Sequence, residues 1–251
     1  MENQNADFEA ARKTRDQTCH ESRQVHFSSN SYPLSLRDLS DPPPIISVEG
    51  LLDFDRPVLA VVGARDSSVM AESWLRRHLP SLSKVALIVS GGARGIDEIA
   101  HQIAMQENRP TAVVLPSSLD CPYPADWSYR RRRVLETGGC LISEYEAGTA
   151  IRKSHFEKRN RLIAALADVV LIVEARRRSG TAITARHAAK LGRVVVALPW
   201  FPSDPRGELC NDLIVEKDAM LVRSADDIAG FLAEEVGTRK LRMQRTPMRG
   251  D

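Results

Sequence analysis

The sequence predicts one doubly wound α/β domain built on a mostly parallel sheet. Six short runs are apolar at every position, as strands that are buried on both faces require. Segments of helical length separate these runs, which favours crossover helices between parallel strands. The chain has 251 residues, of which 43% are hydrophobic and 27% charged, so it is long enough for one such domain with short appendages.

The elements follow in chain order. The predicted strands are VLAVV (58–62), ALIVS (86–90), TAVVL (111–115), CLIS (140–143), VVLIV (169–173) and VVVAL (194–198). The predicted crossover helices lie at about 69–79, 95–107, 128–137, 157–167 and 180–191, and a last helix lies at about 225–235.

The two ends of the chain differ from the centre in composition. Residues 1–40 are polar, show no sustained period, and end at the proline-rich segment 41–44, so we expect a disordered N-terminal arm. The domain is predicted over residues 41–236, and residues 237–251 form a basic tail.

Several classes of protein do not fit the composition. No apolar run approaches the roughly 18 residues of a membrane span, and the N-terminus lacks the apolar centre of a signal peptide, so we expect a cytoplasmic protein without membrane contact. The four cysteines, Cys19, Cys121, Cys140 and Cys210, are too scattered for a zinc site or a disulfide framework. The net charge of +2 does not indicate nucleic acid, and arginine runs such as 130–133 and 176–178 are typical of solvated faces.

Three loops at the carboxyl ends of predicted strands are rich in glycine, and two of them carry arginine. In an open parallel sheet this edge binds the ligand. Glycine lets the backbone approach a ligand closely, and free N–H groups at a helix start favour an anion, so we predict phosphate binding. The alternative is that each glycine only permits a tight turn. The candidate residues are Gly63 and Arg65; Ser90, Gly91, Gly92, Arg94 and Gly95; and Ser179, Gly180 and Thr181.

Motifs for the common nucleotide cofactors are missing from these loops. The glycines at 91, 92 and 95 do not form G-x-G-x-x-G, and no acidic residue ends the next strand, which argues against NAD. No G-x-x-x-x-G-K-[ST], G-x-S-x-G or H-E-x-x-H motif occurs. We therefore expect no cofactor, no metal, no nucleotide hydrolysis and no enzymatic activity.

Asp97 and His101 are the one pair that suggests acid/base catalysis. They are four residues apart at the start of a predicted helix and could face one another. The simpler interpretation is that Asp97 complements the helix N-terminus while His101 lies against the core.

The segment 151–166, IRKSHFEKRNRLIAAL, concentrates basic residues around one aromatic side chain. Lys153, Arg159 and Arg161 could neutralise phosphates, and Phe156 could stack on a base, as single-stranded nucleic acid requires. Phe156 could equally anchor the loop in the core. Asn160 suits a helix cap or a hydrogen bond that braces the loop.

Taken together, the motifs resemble the DprA/Smf family of DNA-processing proteins from about residue 41 to residue 228. The resemblance implies an extended Rossmann-like fold that forms a homodimer, binds and protects single-stranded DNA, and helps to load the RecA recombinase during natural transformation. By analogy Arg65, the 90–95 loop, Lys153 and Phe156 hold DNA, while Arg159 and Arg161 touch phosphate or brace the loop. The matching segments are DPPP (41–44), VGAR (62–65), SGGARGID (90–97) with Ala100 and His101, Tyr123-Pro124, Ser143-Glu144, Phe156 with RNR (159–161), VEA (173–175), and SGT (179–181) followed by Thr184-Ala185.

The chain departs from that family in three ways. We expect no room for the small helical domain and the winged-helix-like domain that flank the core in many members. Pro116-Ser117-Ser118 and Trp200 replace expected glycines, and a late motif is stretched between Gly207 and Asn211, so we expect a changed grip at the third and sixth strands. A nucleoside monophosphate phosphoribohydrolase and a nucleotide sensor are the alternative functions, although 179–184 lacks the double glycine and glutamate of such enzymes.

Overall fold

A computed structural model describes residues 22–245. Within this range nine strands form one sheet in the order β1-β2-β6-β5-β4-β3-β7-β8-β9. The parallel part of the sheet extends in two directions from β3, because β3 lies between β4 and β7. The bounds are β1 Arg23–His26, β2 Ile45–Gly50, β3 Val58–Val62, β4 Leu87–Ser90, β5 Thr111–Val114, β6 Cys140–Ser143, β7 Val169–Ile172, β8 Val194–Ala197 and β9 Met220–Leu221.

Helices cover both faces of the sheet. They are α1 Val69–Val85, α2 Ile96–Gln106, α3 Trp127–Glu136, α4 Lys153–Leu166, α5 Gly180–Lys190, α6 Glu208–Val215 and α7 Ala225–Arg245, with short 3-10 turns at Leu34–Asp38 and Pro205–Gly207.

The apolar strand runs divide their side chains between two cores. Val58, Ala60 and Val62 of β3 pack with α4 and α5, whereas Leu59 and Val61 pack with α1, α2 and α7 on the opposite face. This alternation explains why every residue of β3 is buried. The prediction of a doubly wound, mostly parallel α/β sheet is confirmed, and each of the six predicted strands is present.

Regular structure begins before residue 41, the predicted start of the domain, with strand β1 and a short 3-10 turn. Strand β1 pairs antiparallel with β2, and β2 pairs antiparallel with β6, which extends the sheet on that side. Tyr32 and Leu36 are buried, and the Tyr32 hydroxyl donates to the Pro43 carbonyl oxygen at 2.8 Å. A few isolated apolar residues therefore pack residues 23–40 against the rest of the domain, although the sequence of this segment shows no periodicity. Residues 1–21 lie outside the described part of the chain.

The C-terminal region also contains more regular structure than the sequence pattern suggested. The last helix, α7, continues to Arg245, through most of the predicted basic tail, and residues 246–251 lie outside the described part. Helix α6 and the two-residue strand β9 precede it. Among the described residues no helix is long and apolar enough to cross a membrane.

Candidate functional site

A cleft of about 1950 Å³ opens at the carboxyl ends of the parallel strands. Its walls come from the loops after β3, β4, β5, β6 and β7, from α4, and from the start of α5. The cleft lies where the strand order turns in two directions, between β3 and β7, which is where open α/β sheets bind their ligands. The topology thus places the cleft at the predicted edge.

The structure brings most of the predicted residues from the first loop, the third loop and α4 to this cleft. The Thr181 hydroxyl donates to the Gly63 carbonyl oxygen at 3.1 Å, so the start of α5 is fastened to the loop after β3. The predicted residues that line the cleft are Gly63, Arg65, Lys153, Phe156, Arg159, Asn160, Ser179, Gly180 and Thr181.

Phe156 sits at the centre of the aromatic part of the cleft. Its ring is half-buried and meets the ring of Tyr123 edge to face, with centroids 5.5 Å apart. The Arg65 guanidinium carbon lies 5.3 Å from the Phe156 centroid, within the range of a cation–π contact. Phe156 is therefore neither a core anchor nor a fully exposed platform: it lies in the cleft wall with a cation above it.

The loop after β4 lies mostly beneath the cleft. Ser90 is fully buried, and its hydroxyl donates to the Val61 carbonyl oxygen at 2.6 Å. Gly92 has a φ of +67°, and its carbonyl oxygen accepts a hydrogen bond from the Trp127 indole at 2.8 Å. Gly95, at a φ of +79°, approaches so closely that a Cβ there would lie 2.3 Å from the Ala64 carbonyl oxygen.

Of this loop and the start of α2, only Ala93 and Asp97 line the cleft. Arg94 is exposed outside it. Ser90, Gly91 and Gly92 are buried and support the cleft from below. A direct DNA contact by any residue of the set Ser90, Gly91, Gly92, Arg94 and Gly95 stays a prediction.

Asp97 and His101 do not face one another as an acid/base pair. The Asp97 carboxylate accepts a hydrogen bond from the Gly91 amide at 3.1 Å. His101 is fully buried and shares a 2.7 Å hydrogen bond with the Thr111 hydroxyl. Burial lowers the pKa of His101 to about 3, with the Arg159 charge adding to the effect, so the ring is neutral at pH 7. The histidine belongs to the core, as the simpler interpretation held.

The three residues of the RNR segment (159–161) make three different kinds of contact. The Arg159 guanidinium is buried and donates to the Val114 carbonyl oxygen at 2.8 Å. Asn160 donates to the Gly180 carbonyl oxygen at 3.1 Å, which fixes α5 to α4. Arg161 points away from the cleft and forms a buried ion pair with Glu144. Burial raises the pKa of Glu144, and Arg161 opposes that rise.

Sequence reasoning missed several cleft residues. Arg152, Arg178 and Arg186 line the cleft, and so does Arg177, which pairs with Asp212 of α6. The run at 176–178 has the composition of a solvated face, and its pattern alone shows no link to the glycine loop. Its position directly before Ser179 was the available signal, since that residue opens the third loop.

The departures at Trp200 and Gly207 form one unit. A Cβ on Gly207 would lie 2.0 Å from Cγ of Trp200, so the indole fills the space beside this glycine. Asn211 donates to the Trp200 carbonyl oxygen and accepts from its amide, both at 3.0 Å. The Trp200 indole also donates to the Val173 carbonyl oxygen at 2.8 Å. Residues 199–211 line no part of the cleft.

In contrast to the segment at Trp200, the segment Pro116-Ser117-Ser118, which replaces expected glycines, contributes to the cleft. Ser117 lines the cleft, and its hydroxyl accepts a hydrogen bond from the Tyr123 amide at 2.9 Å. Its carbonyl oxygen accepts from the Ser143 hydroxyl at 2.7 Å. The segment after β5 therefore stays in the site and holds the aromatic residue that contacts Phe156.

Fold and cleft together define a class: a Rossmann-like protein with a basic, aromatic-lined cleft at the switch point of its sheet. Residues 23–233 match the family model described as DNA recombination-mediator protein A. The chain belongs to this family.

Relatives with known names agree with that assignment. The chain is 36% identical over 198 residues to the DNA processing protein DprA of Streptococcus pneumoniae, covering 78% of this chain and 70% of that protein. It is 38% identical over 206 residues to the protein Smf of Escherichia coli K12, covering 81% of this chain and 55% of that protein. The chain thus spans little more than half the length of the second relative.

Two solved structures share the fold. The crystal structure of DprA from Streptococcus pneumoniae has a TM-score of 0.76 at 32% identity and covers 88% of this chain and 77% of its own. DNA processing protein A from Helicobacter pylori, whose structure gives insight into its single-stranded DNA binding mode, has a TM-score of 0.75 at 29% identity. That match covers 86% of this chain and 98% of the other.

Proposed function

We propose that this protein binds single-stranded DNA in the cleft and acts, without being an enzyme, as a recombination mediator. One observation carries the proposal: within residues 22–245, Arg65, Arg152, Lys153, Arg178 and Arg186 line one cleft and form no ion pair there, and Phe156 lies among them. Cations that lack a protein counter-charge are available to phosphates, and an aromatic ring offers a face to a base.

Each part of the cleft has a distinct task in this proposal. Arg65 and Lys153 neutralise phosphates of the strand, and the ring of Phe156 receives a base. Helix α5 adds a third element, because its first residue, Gly180, is exposed and Ser179 makes no side-chain cap. The amides of Gly180 and Thr181 make no backbone hydrogen bond among the described residues and point to an anion-binding position beside the Gly63 loop.

The same geometry favours single strands over duplex. Bases in a duplex are stacked on one another, so the half-buried ring of Phe156 can reach only an unpaired base. A duplex also cannot bring both strands to a ring that lies within the cleft wall. The preference should therefore reside in Phe156 and Tyr123, and the affinity in the cations.

We infer the wider role from the family and from the relatives named DprA and Smf. In this proposal the protein is cytoplasmic, acts as a homodimer, protects single-stranded DNA and helps to load the RecA recombinase without nucleotide hydrolysis. Binding of labelled RecA to the DNA-loaded protein, measured with and without ATP, tests that part.

The direct test is a fluorescence anisotropy titration of single- and double-stranded oligonucleotides of equal length. We expect a Kd for the single strand in the micromolar range or tighter without ATP, on the order of −8 kcal/mol, and weaker binding of the duplex. The logarithm of the affinity should fall against the logarithm of salt with a slope of about 0.7 per phosphate contact. A protein that prefers duplex, or that binds a mononucleotide but no oligonucleotide, would refute the proposal.

A further inference from the structure

Two buried charged side chains, Arg159 and Asp97, meet the glycine loop after β4 at Gly91. Arg159 is 4% exposed and Asp97 is 7% exposed, and each shifts the ionisation of the other. Burial raises the pKa of Asp97 and Arg159 opposes that rise; burial lowers the pKa of Arg159 to about 10 and Asp97 opposes that fall. Arg159 and Asp97 thus lie near enough for each charge to influence the other, and both also line the cleft.

Gly91 is the point where this pair meets the loop. A Cβ built on Gly91 would lie 1.6 Å from Nη1 of Arg159 and 2.3 Å from its Cζ, so the guanidinium occupies the space that any side chain would need. The Gly91 amide donates to the Asp97 carboxylate at 3.1 Å. Gly91 has no positive φ, so a side chain there would not strain the backbone but would displace the Arg159 guanidinium.

The pair also links two walls of the cleft. Arg159 belongs to α4, which carries Lys153 and Phe156, and its Nη1 donates to the Val114 carbonyl oxygen at the end of β5. Asp97 belongs to the first turn of α2. A shift of Arg159 would therefore move the glycine loop relative to the proposed DNA contacts on α4.

We propose that Arg159, Asp97 and Gly91 form a buried brace that sets the glycine loop, and that Arg159 is a positioning residue which contacts no phosphate. The inference rests on the proposed function, because the affinity for single-stranded DNA is what the brace controls. It resolves the two roles that the RNR segment left open at Arg159 in favour of bracing.

The substitution Asp97→Asn separates bracing from direct contact, because the two predict opposite signs. The asparagine oxygen can still accept from Gly91, while the negative charge near Arg159 is gone. If Arg159 braces, affinity for a fluorescent oligo-dT should fall about fivefold or more, as displaced binding groups cost affinity steeply. If Arg159 contacts phosphate, removal of its counter-charge should tighten binding, and that result, like an unchanged Kd, overturns the brace. Asp218→Asn, an exposed site outside the cleft with the same change in charge, is the matched control.

A double-mutant cycle between Gly91→Ala and Arg159→Lys gives a second, independent readout. Each single variant should weaken DNA binding about tenfold, since a lysine keeps the charge but lacks the planar group that fills the space beside Gly91. With the guanidinium absent, the added methyl meets no clash, so the double variant should be little worse than either single one. Losses that multiply would show that the two sites act independently and would contradict the brace.

The same double-mutant cycle, measured by the thermal unfolding midpoint (Tm), distinguishes failure of the brace from failure of the proposed DNA binding. A wild-type protein without affinity for oligo-dT refutes the proposed function, yet non-additive changes in Tm still establish the coupling between Gly91 and Arg159. Additive changes in Tm together with additive changes in Kd refute the brace even when wild-type DNA binding is strong.

Discussion

Two regions of this molecule are rich in arginine, and they use it in opposite ways. Helix α3 carries four consecutive arginines, Arg130 to Arg133, beside the exposed aromatic ring of Tyr129. The cleft gathers its cations from distant parts of the chain around Phe156. In sequence, α3 shows the denser basic pattern, although it is the cleft that we propose as the DNA site.

Pairing within the protein explains the difference. Arg130 lies 2.6 Å from Glu98, Arg131 lies 3.5 Å from the buried Glu49, and Arg132 lies 2.9 Å from Glu136. Arg133 donates to Asn108 at 2.9 Å. Arg130, Arg131 and Arg133 tie α3 to neighbouring segments, and Arg132 pairs with Glu136 within the helix, so each arginine of the run has a partner in the protein. A charge run therefore indicates a binding surface only when its partners are missing.

The strongest test of this comparison reverses two charges in each region. The double variant Arg65→Glu/Lys153→Glu should bind single-stranded DNA about 100-fold more weakly, and its salt slope should fall by about 0.7 for each phosphate that the variant no longer neutralises. Arg132→Glu/Arg133→Glu makes the same change in net charge on α3 and should bind nearly as the wild type does. Anisotropy titrations at several salt concentrations measure both. An equal reduction in affinity in the two variants would mean that only the overall charge matters.

The second test compares the two regions by protein stability and not by DNA binding. Arg131→Ala leaves the charge of Glu49, a residue 2% exposed, without this partner and should lower the free energy of unfolding by about 2 kcal/mol. Arg65→Ala, at an exposed residue, should change it by no more than about 0.5 kcal/mol. Urea denaturation followed by circular dichroism compares the two. If Arg65→Ala proves the more destabilising, the division between structural and ligand-binding arginines is wrong.

The smallest effect concerns the two aromatic residues that accompany the basic groups. Phe156→Ala should weaken binding of single-stranded DNA about tenfold, within the range of about 1 to 3 kcal/mol for one stacked base, while the salt slope stays nearly constant. Tyr129→Ala removes an aromatic side chain that is 69% exposed on α3 and should leave binding unchanged. A salt slope that falls in Phe156→Ala would show that the ring positions a cation, such as Arg65, and does not stack on a base.

The sequence predicts the fold well where burial alone decides the structure. Each of the six central strands has two covered faces and so appears as a continuous apolar run. Strand β1 buries only Val25 of its four residues, and β9 has two residues, both exposed, so neither leaves such a run. Helix α4 begins at Lys153 and not at about 157 as predicted. The sequence pattern misses the first turn because this turn faces the cleft and carries polar residues where a core helix would be apolar.

The candidate site is predictable only in part. The sequence shows which residues belong to it, but not whether each side chain faces the cleft or the core. The segment 151–161 was identified from its composition, yet Arg159 and Arg161 both turn out to be buried. Their partners explain this: Asp97 and Val114 precede Arg159 by more than 40 residues, and Glu144 lies on another element from Arg161. A cluster of charged residues in the sequence does not reveal which of them will be paired with residues that are distant in sequence and close only in the folded protein.

The packing of Trp200 against Gly207 has a consequence for building chimeras with relatives that carry glycine after the matching proline. A segment that brings any larger residue to position 207 would collide with the indole side chain, whose own Cβ lies 2.1 Å from where the new Cβ would be. A segment that brings glycine to position 200 would remove the indole and leave its volume empty above β7. The two positions therefore need to be exchanged together, and a crossover point placed between them would produce a poorly packed protein from two well-packed parents.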